Sequence, residues 1–324
     1  MALPAADQIK MYRTMVLIRR FEQGVAEAYA DGFIGGFTHL YIGQEAVATG
    51  AILSLNHDDY AVGTYRVHGH ALARGTPARS LMAELYGRTD GVCKGKGGSM
   101  HFFDAEHYFL GGYGIVGGHL PIGVGAALAC QMRGEDRVVM VFFGDGASNQ
   151  GVFHEALNMA KLWDLPVVFV CENNLYGIGT DVRISSSFDQ IHKKAQGYGM
   201  PGHVVNGMDV IAVREACDEV VRYVRHGSGP VLLEARCYRY QGHSMTDAGK
   251  YRSVAETELW KKRDPIPRLA KSMLEQGTVD QARLDAIDAE ANETVQDAMS
   301  FAEQSPPPSP EALWQDVFVE NDHA

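Results

Sequence analysis

Two apolar runs decide the fold: Val138-Val139-Met140-Val141-Phe142-Phe143-Gly144-Asp145-Gly146-Ala147 and Pro166-Val167-Val168-Phe169-Val170-Cys171-Glu172-Asn173-Asn174-Leu175-Tyr176-Gly177. Each is β-branched or aromatic without alternation and stops abruptly at polar residues, the pattern of a parallel strand buried on both faces. Between them Val152, Phe153, Ala156, Leu157 and Ala160 recur at helical spacing, and Ser148 or Asn149 is placed to cap that helix. The segment is therefore one strand-helix-strand unit with a right-handed crossover. It carries an acid at one strand end and amides at the next. The predicted class is α/β: a doubly wound, mostly parallel sheet flanked by helices, with a helical C-terminal region.

Open parallel sheets bind ligands beyond the carboxyl ends of their strands. One carboxylate, one amide oxygen and a backbone carbonyl suit a hard cation such as Mg²⁺, which completes its shell with substrate phosphates. Gly146 and Ala147 leave room for a diphosphate at a helix N-terminus. An isolated Gly-Asp-Gly reads as a tight turn, but strand, spacing and Asn-Asn together resemble the signature of thiamine diphosphate enzymes. On that resemblance Asp145 and Asn174 supply side-chain metal ligands and Tyr176 its carbonyl.

Composition narrows the partners. A net charge of -11 over 324 residues argues against nucleic acid or an anionic membrane as the main partner, since both are held by clustered Lys and Arg. No apolar run is long enough to span a bilayer, and no secretory signal opens the chain, so a cytoplasmic location, or an organelle interior after processing, is expected. Cys93, Cys130, Cys171, Cys217 and Cys237 form no Cys-x-x-Cys pair and read as buried free thiols. The chain reads as one α/β domain over 1–324, with an N-terminal helix within 1–31 and a peripheral helical extension over 254–324.

Elsewhere, Tyr60–Gly63 reads as a strand leading to Tyr65-Arg66. Arg66 is either a phosphate ligand, its paired donors joined by the Tyr65 phenol, or an exposed salt-bridge partner, the simpler reading in isolation. His39, flanked by apolar residues, reads in isolation as a core histidine. Ten glycines between Gly87 and Gly118 predict a long irregular loop. Within it, Gly91–Gly97 resembles a phosphate loop but has the wrong glycine spacing and no Ser or Thr after the lysine. Gly112-Tyr113-Gly114-Ile115-Val116-Gly117 matches the dinucleotide fingerprint. That fingerprint needs a strand directly before it, and Asp104, Glu106 and His107 interrupt Phe102–Leu110, so a nicotinamide site is not expected. His101, Asp104 and His107 are spaced wrongly for a shared metal. Asp209 is expected to cap a helix reaching Arg225, Phe188–Gly197 to form a short helix, and Val231–Ala235 a further strand. The proline-rich run 305–310 should be extended.

Placed together, these segments resemble the alpha subunits of the thiamine diphosphate-dependent 2-oxoacid dehydrogenases. The likeness rests on Gly36-Phe37-Thr38-His39-Leu40, Gly43-Gln44-Glu45-Ala46, Tyr65-Arg66-Val67-His68-Gly69, Gly95-Lys96-Gly97-Gly98-Ser99-Met100-His101, Gly114-Ile115-Val116-Gly117, the Gly-Asp-Gly unit, and Tyr238-Arg239-Tyr240-Gln241-Gly242-His243-Ser244-Met245-Thr246-Asp247. The last is closest to the pyruvate branch of the family rather than to the branched-chain or acetoin branches. The resemblance implies that Tyr65, Arg66 and His243 contact the diphosphate, with Gly146 and Ala147 beside it. It also implies that Gly114 and Val116 present backbone to the pyrimidine ring and that His39 faces the substrate. His243 is either an anchor or an acid-base. The implied reaction is decarboxylation of pyruvate with reductive acylation of a lipoyl group. No position matches the glutamate that polarises the aminopyrimidine, which in the family comes from a beta subunit. Half an active site is therefore expected here, in a heterotetramer of two alpha and two beta chains that meets the lipoyl domain of a dihydrolipoyl acyltransferase. Two positions depart from the pyruvate branch: His119 replaces a usual glutamine, and Gln241 a histidine or arginine. His119 either alters substrate choice or caps the next helix.

Overall fold

The computed structural model describes residues 3–317, so 318–324 of the predicted C-terminal extension lie outside the described residues. Its strands are β1 (Tyr60–Gly63), β2 (Phe109–Gly112), β3 (Val139–Gly144), β4 (Val167–Asn173), β5 (Tyr176–Gly177), β6 (Thr180–Asp181), β7 (Gly202–Asn206) and β8 (Val231–Arg236). Its helices are α1 (Ala5–Ala30), α2 (Glu45–Ile52), α3 (His68–Arg74), α4 (Ala78–Leu85), α5 (Leu120–Arg133), α6 (Gly151–Leu162), α7 (Val182–Ser185), α8 (Val210–Arg225), α9 (Val254–Lys261), α10 (Pro265–Glu275) and α11 (Gln281–Gln304).

Six strands form the main sheet in the order β2-β1-β3-β4-β8-β7, and every neighbouring pair is parallel. β5 and β6 make a separate antiparallel hairpin. From β1 the chain moves outward to β2 and then returns across the sheet to β3. The carboxyl ends of β1 and β3 thus flank a topological switch point, where such sheets open a crevice.

The continuous apolar runs follow from burial on two sides. Met140, Phe142, Val168 and Val170 pack with residues of α1, α2 and α8, while Val139, Val141, Phe143, Val167 and Phe169 pack with residues of α5 and α6. All nine side chains are fully buried, each aromatic contributing roughly 1.5–3 kcal/mol. Close backbone approach fixes the outer layer as well: a Cβ at Gly24 of α1 would lie 2.6 Å from Val295 of α11.

Several local expectations are corrected. Neither Ser148 nor Asn149 caps α6; both lie in a 3-10 turn, Asp145–Asn149, and the helix starts after Gln150 without a side-chain cap. Val152 is only half-buried on that helix. A strand does precede Gly112: the Asp104 and Phe109 backbones pair with each other, which lets β2 begin within the interrupted segment. It is a short edge strand, and α5 begins only at Leu120, beyond the last glycine of the fingerprint. The short helix predicted from Phe188 is a 3-10 helix over Ile191–Tyr198. Asp209 caps α8 as predicted, accepting from the Ile211 and Ala212 backbones. All five cysteines are free, four of them buried and Cys93 partly exposed.

The glycine-rich loop does hold an anion, but one from its own chain. The buried Glu84 carboxylate accepts from the backbone N–H of Cys93 (2.8 Å), Gly95 (2.9 Å), Gly97 (2.6 Å) and Gly98 (3.1 Å). Further along the loop, Ser99 is joined to His68 (2.8 Å), which is joined to Glu22 of α1 (2.9 Å).

Candidate active site

The switch point opens into a cavity of about 220 Å³ lined by residues from six segments. Strand ends supply its floor. Register pairs Gly144 with Glu172 and Asn173 with Arg236, so β3, β4 and β8 deliver Asp145, Glu172, Asn174 and Arg239 to one level. Tyr65 and Arg66 follow β1, Gln44 precedes α2, and Val116 comes from the glycine-rich loop.

Asp145 is 2 % exposed, and its Oδ2 has no hydrogen-bond partner. Burial pushes its carboxyl up to about 6, against opposing hydrogen bonds from backbone N–H groups and the Arg239 charge. A buried carboxylate oxygen without a donor costs roughly 1–3 kcal/mol and is what a cation would satisfy. A Cβ on Gly146 would meet Gly177 at 3.3 Å, so two backbones pass closely beside this oxygen.

The two asparagines divide their work. Asn173 points away from the cavity, donating to Glu234 (2.8 Å) and accepting from the Leu175 backbone (3.2 Å). Leu175 takes a left-handed φ of 75°, which turns the chain sharply. Asn174 then faces the cavity; Gln44 accepts from its amide nitrogen at 2.9 Å, and its oxygen accepts weakly from the Tyr176 backbone at 3.3 Å. The Tyr176 carbonyl accepts from Arg239 at 3.2 Å, so that predicted metal ligand is shared with a guanidinium.

Arg66 is buried, not an exposed salt-bridge partner. It donates to the carbonyls of Leu40 (2.6 Å) and His243 (2.8 Å), leaving three of its five N–H donors for a ligand. Burial, then the nearby Arg239 charge, lowers it to about 10. His39 and His243 do not line the cavity itself. They pack on Tyr65, with ring centroids 4.5 and 5.5 Å away, and on each other at 5.0 Å. Burial and the Arg66 charge lower His39 to about 2 and His243 to about 4, so both are neutral at pH 7. The Nδ1 of each is buried without a partner. Gly114 also lies outside the lining, beside the His101 ring. His119 is buried away from the cavity. Its Nε2 meets the Phe142 carbonyl at 2.7 Å, so its side chain does not cap α5 despite standing at the cap position.

Tyr65, Arg66, Val116, Asp145, Gly146, Ala147, Asn174 and Tyr176 are thus brought together as expected. Reading by sequence missed Gln44, Glu172 and Arg239. A charged residue closing an apolar strand, as Glu172 does, was the available signal; Arg239 gave none beyond its place after β8.

A parallel sheet whose switch point gathers an open, buried carboxylate oxygen and two buried guanidinium groups into one cavity defines an α/β protein with a ligand site beyond its strand ends. The chain belongs to the dehydrogenase E1 component family, whose model matches residues 13–311. It is 47% identical to the pyruvate dehydrogenase E1 component subunit alpha of Rhizobium meliloti (strain 1021), over 97% of this chain and 90% of that protein. It is 44% identical to the protein of the same name from Rickettsia bellii (strain RML369-C), over 97% and 96%. It is also 44% identical to the chloroplastic subunit alpha-3 of Oryza sativa subsp. japonica, over 98% and 77%.

Proposed function

We propose that the chain is the alpha subunit of a two-subunit enzyme that decarboxylates pyruvate with thiamine diphosphate and Mg²⁺ and transfers the acyl group reductively to a lipoyl group. The buried, open Oδ2 of Asp145 in one cavity with Arg66, which keeps three N–H donors free, carries this reading, because a ligand bearing both cation and anion satisfies the two together. The names of the relatives support the substrate. The edge position of β2 and the place of Val116 in the same cavity disfavour a nicotinamide site.

In this reading Asp145, Asn174 and the Tyr176 carbonyl hold the metal, and Tyr65, Arg66 and His243 hold the diphosphate, with Gly146 and Ala147 alongside. Gly114 and Val116 present backbone to the pyrimidine ring. Bound thiamine diphosphate supplies the electron sink that decarboxylation of a 2-oxoacid requires. His39 and His243, neutral and each with a free Nδ1, can hold or move a proton beside the substrate; His39 is the nearer to that role by family resemblance. A beta subunit completes the site, two alpha and two beta chains assemble, and a lipoyl domain is the acceptor. A bacterial cytoplasm or an organelle interior is the expected place.

The test is co-expression with the beta subunit from the same source, comparing pyruvate with branched-chain 2-oxoacids, with and without thiamine diphosphate and Mg²⁺. Cofactor-dependent turnover preferring pyruvate is expected, and the isolated chain should turn over very poorly. A preference for branched acids would move the enzyme to a sister activity, and strong turnover by this chain alone would sink the two-subunit reading.

A further inference from the structure

The cavity holds more charge than a metal and a diphosphate contact account for. Arg66, Arg239, Asp145 and Glu172 all line it, each at most 5 % exposed. Among the described residues, neither arginine forms a salt bridge, and neither acid is bonded to Lys or Arg. Buried charges normally pair directly, because desolvating one alone is costly. Arg239 spends four donors on protein oxygens and Glu172 is joined to His70, whereas Asp145 Oδ2 and three Arg66 donors are left for a ligand.

Glu172 has no role so far. Its Oε1 accepts from the Tyr41 hydroxyl, in a short contact, and from His70 Nε2 at 3.1 Å. Tyr41 and His70 are themselves fully buried. Both partners can act as donors, which is what an ionised carboxylate requires. Glu172, formally an acid, is thus held rigidly at the end of β4, on the strand beside the one that leads to Asp145.

We propose that Glu172 makes the site selective for the metal-bound form of the diphosphate, by setting the cavity's charge. This rests on the cofactor reading above and deepens it. With Glu172 present, two carboxylates balance two guanidinium groups, and the empty cavity is formally neutral. Free diphosphate brings several negative charges against both acids; chelated to a divalent cation, it brings far fewer. The penalty on free diphosphate is therefore relieved by the metal, which appears as positive coupling between the two ligands. Removing the charge of Glu172 leaves the cavity net positive. Free diphosphate then binds better, while the chelate changes little.

The experiment uses the assembled complex with its beta subunit. Affinities for thiamine diphosphate and for inorganic pyrophosphate are measured by calorimetry, with Mg²⁺ and with chelator. In the unaltered protein, Mg²⁺ should tighten thiamine diphosphate binding by about tenfold or more. In Glu172→Gln that ratio should fall at least threefold, through tighter metal-free binding. Tyr41→Phe, which loses a hydrogen bond but keeps the charge, should retain the ratio. Glu172→Ala removes the same charge and reads the same ratio if the glutamine variant does not assemble. An unchanged ratio in the Glu172 variants, or a loss of both forms in equal measure, overturns the proposal, as does a collapse of the ratio in Tyr41→Phe. If the unaltered complex binds no thiamine diphosphate even with Mg²⁺, the cofactor reading itself fails, and this inference with it.

Discussion

On the floor of the cavity, Asp145 and Glu172 stand on adjacent strands whose register is fixed by nine fully buried core side chains. On the rim, Arg66, His39 and His243 come from irregular segments far apart in sequence, and Arg66 ties the other two segments together through the Leu40 and His243 carbonyls. The floor can therefore carry unsatisfied charge, because the sheet holds it in place. The rim carries neutral histidines and satisfied backbone, because its order depends on those very bonds. A change on the floor should alter binding without harming the fold, whereas a change on the rim should alter both.

The largest effect is expected at Asp145. Asp145→Asn should weaken Mg²⁺-dependent thiamine diphosphate binding by more than about 100-fold. Because burial raises this carboxyl from 3.8 to about 6, its ionisation costs the empty fold stability above pH 3.8, in full above about pH 6. The variant should thus melt at an equal or higher temperature at pH 7. A drop in melting temperature would break the distinction between floor and rim.

Arg66→Met comes next. It should weaken diphosphate binding by roughly 10–100-fold, from the loss of charge-assisted bonds. Unlike the floor variant, it should also lower the melting temperature, since two buried carbonyls lose their donor. Unchanged stability would show that the rim is held by other contacts.

The smallest effect concerns pH. The folded value of His243, about 4, lies below its ordinary 6.5. Between those values the unfolded chain holds a proton that the folded chain does not, so stability falls as pH drops from about 6.5 to 4. His39 adds a similar fall that continues to lower pH. His243→Asn should remove up to one proton from the slope of urea stability between pH 7 and 4.5; an unaltered slope would place the acid sensitivity elsewhere.

The floor was legible because sheet strands announce themselves. A run such as Val138–Phe143 has one structural solution, and its polar terminus falls at the ligand edge by geometry. Asp145 and Asn174 follow from that. The rim was legible only through family resemblance, since nothing in the spacing of His39, Tyr65 and His243 tells that their rings meet. Arg239 was missed for the same reason: its place depends on where β8 pairs, and pairing is a long-range property. The cap of α6 misled because Ser148 and Asn149 are good capping residues that a 3-10 turn had already taken. In the glycine-rich loop, the density of glycine predicted close backbone approach correctly, but its partner, Glu84, stands on another helix.

That partner has a consequence for how the loop behaves in a cell. A phosphate loop is filled or empty according to how much free anion surrounds it. Here the anion is tethered to the loop by the chain itself, at an effective concentration on the order of millimolar or above, with nothing to diffuse away. Inorganic phosphate and nucleotides have to displace a ligand that never leaves. The backbone from Cys93 to Gly98 is therefore held by the same anion whether the cell is starved or fed.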